Sequence, residues 1–503
     1  MVICLLELPT SGQITFNRRY GLGATNCNFY SVAEVSDGFL VTGMKVDGSN
    51  LPYSVHLDAY GEVIEVHEFE YEGYLPNLYE SALQWTPQGE LINVGHMFDS
   101  SEVFQSVIYW FDETGDTLRT RRDYSDIVLN DIEVYADQGW YTPRDLTQDD
   151  EGNLYELSQW GWPFGVVRKR DSDGELLWTF EFEFDEAASE LEIHNISFYD
   201  GKLYFNTKLL YWWDPPTSFF YILDAENGEV ILEMELVEWA MDQHRQIFPL
   251  DNSYIVAGRL NHPEGFGSAP AVYELSSEGE IVWERIFGDI DTSFDRYCEE
   301  ILKVSESEYV CACNTYDSEP IEEIYGLNNQ TVSISRFTED GEEIWSREYI
   351  GFHRVFDRHA VHSFIQTSDG GFAFCGVSQD WNEEDPDFIS PPVQGWLVKL
   401  DEFGCLEPGC QFLDVEQLSL DSDRSLKVYP NPSNGSFSLE FNSQSVLNSS
   451  EILITDLSGR TVHQEMISAG QSTLQIQHLS SGLYQVHWIA DGILIDSEQV
   501  VVQ

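Results

Sequence analysis

The sequence has few basic residues. Only 25 of its 503 residues are Lys or Arg, and seven of these are Lys, against 88 Asp and Glu. The formal net charge of -63 repels DNA, RNA and anionic membrane surfaces, so we expect no nucleic-acid partner. The acidic residues are spread along the whole chain, which is typical of a strongly hydrated protein surface.

Long apolar runs and the common catalytic motifs are also missing. No run reaches the ~18 to 20 residues of a transmembrane helix, so no membrane span is predicted. The chain has no Gly-x-Ser-x-Gly elbow, no His-Glu-x-x-His motif and no adjacent cysteine pair of the kind found in quinoproteins. Paired carboxylates could hydrolyse glycosides, but among 88 acidic residues such pairs arise by chance.

Two acidic stretches offer the oxygen ligands that Ca²⁺ prefers. They are Asp149-Asp150-Glu151 and Glu383-Glu384-Asp385-Pro386-Asp387. Neither has the spacing of a known calcium loop, so calcium stays unassigned. No motif requires a metal or another cofactor.

Eight cysteines are unevenly placed along the chain. Cys405 and Cys410 flank a Pro-Gly turn that would bring two thiols together, so we predict a disulfide between them in an oxidising compartment. Cys311-Ala-Cys313 looks like half of a metal knuckle, but no second half follows. We therefore interpret Cys311 and Cys313 as small buried side chains on a strand.

A repeat with two anchors runs through most of the chain. The first anchor is a turn followed by a short apolar strand, and its copies begin at Asp37, Gln88, Glu151, Asp200, Asp251, Ser307 and Asp369. The second is an apolar strand, an acidic turn with Gly and another strand, and its glycines are Gly61, Gly115, Gly174, Gly228, Gly279, Gly341 and Gly404. Each copy reads as two hairpins, which is a four-stranded propeller blade. We predict an all-β chain with a seven-bladed β-propeller at residues 13–413.

An extra fragment of the second anchor opens the chain, at Gly12–Gly21. We interpret it as the outermost strand of the last blade, so that the ring closes without a free edge. The hairpin that holds Cys405 and Cys410 would then finish that blade or cap the exit. Residues 1–12 look like the remnant of a secretory signal peptide, and a plain N-terminal strand is the competing interpretation.

The segment between the two anchors varies most in length and must join the second and third strands of each blade. These loops carry aromatic and acidic residues on one face, where binding surfaces are commonly built. The candidate binding residues are Trp160, Trp162, Trp212, Trp213 and Trp381. Packing of these rings over neighbouring blades is the alternative.

A different pattern begins after an acidic, aperiodic linker at residues 414–425. Seven short strands with Gly-containing turns predict a small immunoglobulin-like β-sandwich at residues 426–503. Three motifs mark it: Tyr429-Pro-Asn-Pro-Ser-Asn-Gly435, Asp456-Leu-Ser-Gly459-Arg and Leu479-Ser-Ser-Gly482-Leu-Tyr484-Gln-Val486. In order and spacing they resemble the type A C-terminal sorting domain of type IX (Por) secretion cargo in Bacteroidetes-type bacteria.

That resemblance implies a domain that is recognised by the type IX machinery after the inner membrane and is cleaved during outer-membrane transit. The closing strand lacks the Lys that the family commonly has there. The sorting residues carried over are Tyr429, Pro430, Asn431, Pro432, Gly435, Asp456, Gly459, Gly482 and Tyr484. The repeats, from Asp369-Gly-Gly-Phe to Gly404, are similar to those of exported bacterial propellers that are often joined to this domain.

We expect a secreted or outer-surface monomer that acts as a binding or adhesion module for an extracellular glycan or protein. The alternative is an extracellular glycan-acting or quinone-dependent enzyme built on the same scaffold.

Overall fold

The structure is a computed structural model. Two compact units divide the chain, one at Phe16–Lys399 and one made of Met1–Thr15 with Leu400–Gln503. The residues that the structure describes are 13–24, 26–46, 50–69, 74–78, 83–99, 104–124, 141–160, 164–183, 190–210, 217–236, 242–261, 268–287, 297–316, 330–350, 358–379, 392–406, 410, 426–441, 450–456, 460–467, 473–477, 479–490 and 493–502.

Strands are numbered β1 to β36 along the chain. In the first unit they form antiparallel sheets. Each sheet has four strand positions in order of pairing, which we call inner, second, third and outermost. The inner strands are β2 (Asn26–Val35), β6 (Tyr74–Leu78), β11 (Tyr141–Gln148), β15 (Glu190–Tyr199), β19 (Asp242–Pro249), β23 (Cys298–Lys303) and β27 (Arg358–Gln366). The second strands are β3 (Gly38–Val46), β8 (Leu91–Asp99), β12 (Leu154–Trp160), β16 (Lys202–Leu210), β20 (Ser253–Asn261), β24 (Glu308–Tyr316) and β28 (Phe372–Gln379).

The two outer positions of each sheet complete the pattern. The third strands are β4 (Asn50–Asp58), β9 (Phe104–Phe111), β13 (Phe164–Arg170), β17 (Thr217–Asp224), β21 (Ser268–Ser276), β25 (Gln330–Thr338) and β29 (Val393–Leu400). The outermost strands are β5 (Val63–Glu68), β10 (Thr117–Tyr124), β14 (Leu176–Glu183), β18 (Val230–Leu236), β22 (Ile281–Ile286), β26 (Glu343–Tyr349) and β1 (Phe16–Tyr20). A short additional strand, β7 (Gln84–Trp85), pairs with the start of β8.

These sheets form a ring, because each one packs on the next and the last packs on the first through β27, β28 and β2. Apolar clusters fill the spaces between neighbouring sheets, as at Phe29, Val55 and Leu397. The all-β class and the propeller architecture are thus confirmed. Seven such sheets are present among the described residues.

The N-terminal strand closes the ring, as the opening fragment predicted. β1 pairs with β29 along its full length, from Phe16 opposite Lys399 to Tyr20 opposite Gly395. The indole Nε1 of Trp396 adds a hydrogen bond of 2.7 Å to Asn17 Oδ1. Strands from the two ends of this unit therefore share one sheet. Of the two places predicted for the Cys405 hairpin, the outer position of that sheet is taken by β1, and residues 401–405 form a turn. Its role as a cap at the exit stays a prediction.

The acidic turn of the second anchor has a local structural cause. Asp58 Oδ1 accepts hydrogen bonds from the backbone N–H groups of Tyr60 and Glu62, at 2.9 and 2.8 Å. Gly61 between them has φ +76°, a conformation that favours glycine. The same bonds recur at Asp112, Asp171 and Asp401. Many of the acidic residues therefore shape hairpins rather than ligand sites.

The Trp of this anchor packs on the following sheet. A Cβ added to Gly341 would lie 2.7 Å from the indole of Trp283, on the outermost strand of the sheet before it. Trp178 lies over Gly228 and Phe16 over Gly61 in the same way. The recurring glycine thus serves two purposes, a positive φ and room for a neighbouring ring.

The cysteines of β24 are small buried side chains on a strand, as predicted, since Cys311 and Cys313 are both 0% exposed. Cys311 is a free thiol. A disulfide between Cys313 and Cys298 on the neighbouring β23 was not predicted. It forms because the antiparallel register places Cys298 directly opposite Cys313.

The C-terminal unit contains two further antiparallel sheets. One holds β30 (Leu426–Tyr429), β31 (Ser436–Phe441) and β34 (Thr473–Gln477), and the other holds β32 (Ser450–Asp456), β33 (Thr461–Ile467), β35 (Gly482–Ala490) and β36 (Ile493–Val502). Their apolar sides form one core that includes Leu439, Ile454, Val486 and Trp488. The immunoglobulin-like type of this unit stays a prediction. The proposed linker 414–425 and the signal remnant 1–12 lie outside the described residues.

Candidate functional site

The predicted sorting residues meet at one edge of the C-terminal unit. β30 ends at Tyr429, and β31 begins at Ser436, so the Tyr-Pro-Asn-Pro segment forms the connection between the two strands. Its two proline bonds, Tyr429-Pro430 and Asn431-Pro432, are cis. Residues 429–432 are exposed at the surface.

This connection is attached to the last strand of the chain. Asn431 Oδ1 accepts a hydrogen bond of 3.0 Å from Val501 N–H. The N–H of Ser433 donates to Val501 O at 2.8 Å, and Ser433 forms a parallel bridge with Val502. The first motif and the closing strand β36 therefore form one continuous structure. The side chain of Asn431, between the two prolines, supplies one of these links.

The third motif joins the same edge. The N–H of Leu479 donates to Gly435 O at 3.3 Å, and a Cβ on Gly435 would lie 3.2 Å from Leu479 O. Gly435 also has φ +94°. Any other residue at this position would be strained, so the glycine of the first motif allows the contact with the third.

Tyr484 anchors the third motif from inside the unit. Its side chain is buried, and its hydroxyl donates a hydrogen bond of 2.9 Å to Ser480 O. Gly482 lies beside the ring, because a Cβ there would be 3.3 Å from it. Asp456 is opposite Tyr484 in the sheet, but its side chain and Gly459 lie outside the described residues.

The edge that results has a buried base and an exposed rim. Tyr429 is 46% exposed, and Pro430, Asn431 and Pro432 are exposed beside it, as is Val501 at 37%. Aromatic and proline side chains of this kind can be recognised by contact with a partner protein. The geometry suits recognition rather than bond-making chemistry.

The candidate binding residues of the propeller fall outside the description. Trp160 is the last residue of β12, and its side chain is not described; Trp162, Trp212, Trp213 and Trp381 lie outside the described ranges. Each of these positions does follow a second strand and precede a third strand. Because every sheet repeats the same antiparallel order, these strand ends share one face of the ring.

A ring of polar side chains on the inner strands was not predicted. Asp145 accepts a hydrogen bond of 3.0 Å from the N–H of Ile196 in the next sheet. Gln246 accepts one of 2.8 Å from Ile301, and Glu300 one of 2.6 Å from Phe364. These acceptors satisfy backbone groups where the inner strands bulge.

Glu300 is an acid of this ring with a strongly raised pKa. Burial, with a smaller contribution from the charge of Asp145, raises the pKa of Glu300 to about 8 against the lowering effect of the hydrogen bond from Phe364 N–H. Glu300 is therefore largely protonated at neutral pH. Its role in the ring is to join two sheets.

A sequence signal for this ring exists, although the two anchors do not include it. A polar residue followed by an apolar one recurs five to seven residues before the first anchor, as in Asn195-Ile196, Gln246-Ile247, Glu300-Ile301 and Ser363-Phe364. Without the strand register, the polar member reads as an ordinary exposed residue.

The first candidate calcium stretch is occupied by hydrogen bonds. Asp149 accepts hydrogen bonds from Asn153 and from the hydroxyl of Tyr155, at 2.8 and 2.9 Å. Against the effect of burial, these bonds hold the pKa of Asp149 below its ordinary value. The geometry is that of a hairpin turn. The second stretch, 383–387, lies outside the described residues.

Comparison with known proteins supports the assignment of the C-terminal unit. Residues 427–503 match the family described as "Secretion system C-terminal sorting domain". No curated protein matches the chain. The described residues contain no helix that is long and apolar enough to cross a membrane.

Three solved structures resemble the chain weakly. The extracellular domain of a one component system from B. thetaiotaomicron has 10% identity and a TM-score of 0.38, and the match covers 98% of this chain but only 59% of that one. A quinohemoprotein alcohol dehydrogenase from Comamonas testosteroni has 12% identity, coverages of 72% and 65%, and a TM-score of 0.38. A Hadza microbial sialidase has 11% identity, coverages of 72% and 73%, and a TM-score of 0.38. Nothing about activity follows from these likenesses.

The fold and the C-terminal edge together define an exported β-propeller protein. Its last unit is a sorting domain of the type IX secretion system, which implies an interaction with the secretion machinery. The chain is therefore a secreted or cell-surface protein.

Proposed function

We propose that the propeller is an extracellular binding module that holds a glycan or protein ligand at the face where second strands end and third strands begin. The sorting domain directs the chain across the outer membrane and is then removed within residues 414–425. The mature product is a monomeric propeller, either released or held at the cell surface.

One observation carries the binding role: the sheets present equivalent strand ends around a closed ring. A rigid scaffold of this kind supports segments of different length and composition without loss of the core. The five tryptophans of these segments are the side chains best suited to stack on a sugar ring or fill a protein pocket.

The ring of polar side chains on the inner strands supports a binding role over a catalytic one. Asp145, Gln246 and Glu300 accept hydrogen bonds from backbone amides of neighbouring sheets. A carboxylate oxygen that accepts such a hydrogen bond already has a structural partner. The acids of this ring, within the described residues, therefore favour a structural role.

The removal of the sorting domain rests on the order of the sequence. The acidic stretch 414–425 separates the last sheet of the ring from β30. A cut there would leave β27, β28 and β29 with their partner β1. The propeller would keep all of its described strands.

The binding role is tested with the full chain on glycan and protein arrays. We expect retention on a defined set of ligands without turnover, and loss of that retention in the double variant Trp212→Ala/Trp213→Ala. Trp85→Ala is the matched control, because Trp85 is 38% exposed and pairs with the start of β8, at the opposite end of a sheet.

Two results would overturn this role. Equal retention of the double variant and the wild type would remove these tryptophans from the binding face. Release of product from a polysaccharide, or dye reduction with added quinone, would identify the chain as an enzyme.

A further inference from the structure

Three cysteines of one sheet lie together although a disulfide needs only two. Cys298 is on β23, and Cys311 and Cys313 are on the neighbouring β24. Their sulfur atoms all lie within 4.8 Å of one another. Cys298 and Cys313 form the disulfide, and the thiol of Cys311 is 3.7 Å from the sulfur of Cys313.

The surroundings of this sulfur cluster are dry. All three cysteines are 0% exposed. Their neighbours in the core between two sheets include Phe248, Phe287 and Phe337. Burial raises the pKa of Cys311 to about 12, which the charge of Arg285 partly opposes. The Cys311 thiol is therefore protonated at neutral pH and is a poor nucleophile toward the adjacent disulfide.

One separation in the cluster fits two thiolates on one metal ion, while Cys298 and Cys313 stay bonded to each other until the disulfide is reduced. With metal–sulfur bonds of about 2.3 Å, two thiolates on one ion lie about 3.8 Å apart in tetrahedral geometry and about 4.0 Å apart in trigonal geometry. The Cys311–Cys313 separation of 3.7 Å is close to these values. No fourth His, Cys, Asp or Glu ligand atom joins the cluster in the part of the chain that the structure describes.

We propose that Cys298, Cys311 and Cys313 form a redox-gated site for a soft monovalent cation of the Cu(I) class, closed by the disulfide and opened by its reduction. Three sulfur ligands in an apolar pocket suit Cu(I), whereas structural Zn²⁺ almost always takes four ligands. Arg285, whose charge acts on Cys311, offsets part of the negative charge of the thiolates.

The gating step balances with a phosphine or dithiol as the reductant. A phosphine and one water molecule convert the Cys298–Cys313 disulfide to two thiols, with the phosphine oxide as the other product; a dithiol does the same by exchange and becomes a cyclic disulfide. Cu(I) then displaces protons from the thiols that it binds. Exchange with a small-molecule disulfide, which is reduced to two thiols, re-forms the Cys298–Cys313 bond, removes two of the three ligands and releases the ion.

The test uses the full chain and Cu(I) itself under anaerobic conditions. The chain is reduced with a phosphine and titrated with Cu(I) against a coloured Cu(I) chelator, beside an unreduced sample. We expect one tightly bound ion at the cluster in the reduced chain, besides any ion held by the Cys405 and Cys410 thiols that the phosphine also frees, and none of comparable affinity in the oxidised chain. Cys311→Ala should lower the affinity by about 100-fold or more, since even a supporting residue of a metal site contributes up to about 100-fold.

Two controls separate this site from the other thiols. Cys27→Ala removes a buried free thiol of another core cluster, and Cys405→Ser/Cys410→Ser removes the second disulfide. Both variants should bind the Cu(I) ion of the three-cysteine cluster with the affinity of the wild type. If reduction loosens the fold, Cu(I) should raise the melting temperature of the reduced wild type but not of reduced Cys311→Ala.

Some results would overturn the proposal. Equal affinity of the oxidised and reduced chains would remove the gate. Equal affinity of Cys311→Ala and the wild type, with no difference in melting, would leave Cys311 as a small apolar side chain.

Discussion

The motif residues of the propeller are engaged in packing contacts, whereas those of the sorting domain include an exposed segment. In the propeller the repeated Gly and Trp are locked into contacts between sheets, as at Gly341 and Trp283. In the sorting domain the Tyr-Pro-Asn-Pro segment, which occurs once, is exposed, although Asn431 and Gly435 attach it to neighbouring strands. The repeated residues of the propeller are therefore committed to packing, whereas this motif stays accessible to a partner.

This difference explains where function should be sought in each region. A repeated residue of the propeller occurs once per sheet because each sheet must pack on the next. The segments between second and third strands do not repeat, so selection for a ligand can act on them freely. In the sorting domain the motif residues Tyr429, Pro430, Asn431 and Pro432 are exposed, and we propose that they are the surface offered to the secretion machinery.

The largest effect should follow from removing the sorting domain. A chain that ends at residue 425 should lose export completely, because the machinery has no domain to recognise, while its melting temperature stays close to that of the mature propeller. Immunoblots of medium, envelope and cytoplasm measure the export. Tyr429→Ala should reduce export without unfolding the sorting domain, since Tyr429 is 46% exposed. Normal export of the truncated chain would break the comparison.

The stability of the propeller should depend on pH through Glu300. The pKa of Glu300 rises from about 4.5 to about 8 on folding, so its contribution is complete below the unfolded pKa and is lost as the pH rises toward 8. Glu300→Gln keeps an acceptor for Phe364 N–H and cannot ionise. At pH 9 it should be more stable than the wild type by about 5 kcal/mol, and at pH 4 the difference should vanish. Chemical denaturation at both pH values measures this, and equal differences at both would contradict it.

The packing role of the repeated glycine can be separated from its φ. Gly341 and Gly370 have φ +80° and +85°, but a Cβ would meet Trp283 only at Gly341. Both alanine variants should lose about 1 kcal/mol from the strained backbone. Gly341→Ala should lose about 1 to 3 kcal/mol more, because the indole must shift. Equal losses in denaturation midpoints would mean that the indole of Trp283 shifts without loss of stability.

The smallest effect should come from an exposed ion pair between sheets. Arg121 makes two hydrogen bonds to the carboxylate of Glu175, at 2.8 and 3.2 Å. Arg121→Gln should lower the stability by only about 0.2 to 1 kcal/mol, and the loss should shrink in high salt. Denaturation at two salt concentrations checks this, and a loss that does not change with salt would point to packing by the Arg stem.

The sequence was informative where local chemistry determines structure. Turns such as Asp58–Gly61 are specified by a side-chain acceptor and a positive φ, so the hairpins could be predicted from neighbouring residues. The closing strand was also predictable, because Gly12–Gly21 repeats the pattern of an outermost strand. The structure places Phe16 opposite Lys399, as a closed ring requires.

Features that depend on register could not be predicted. Cys298 and Cys313 are 15 residues apart, and only the pairing of β23 with β24 places them opposite each other. The acceptors of the axis, such as Glu300, bond to the next sheet, so no local pattern fixes their partners. In the sorting domain the motifs were predicted, but the bond from Asn431 to the last strand spans 70 residues.

The central claim is tested most directly by intact-mass analysis of the native protein from separated medium, envelope and cytoplasm. The account predicts a form outside the cytoplasm that ends before about residue 426 and therefore lacks the unit matched by the sorting family. Full-length protein confined to the cytoplasm would contradict it.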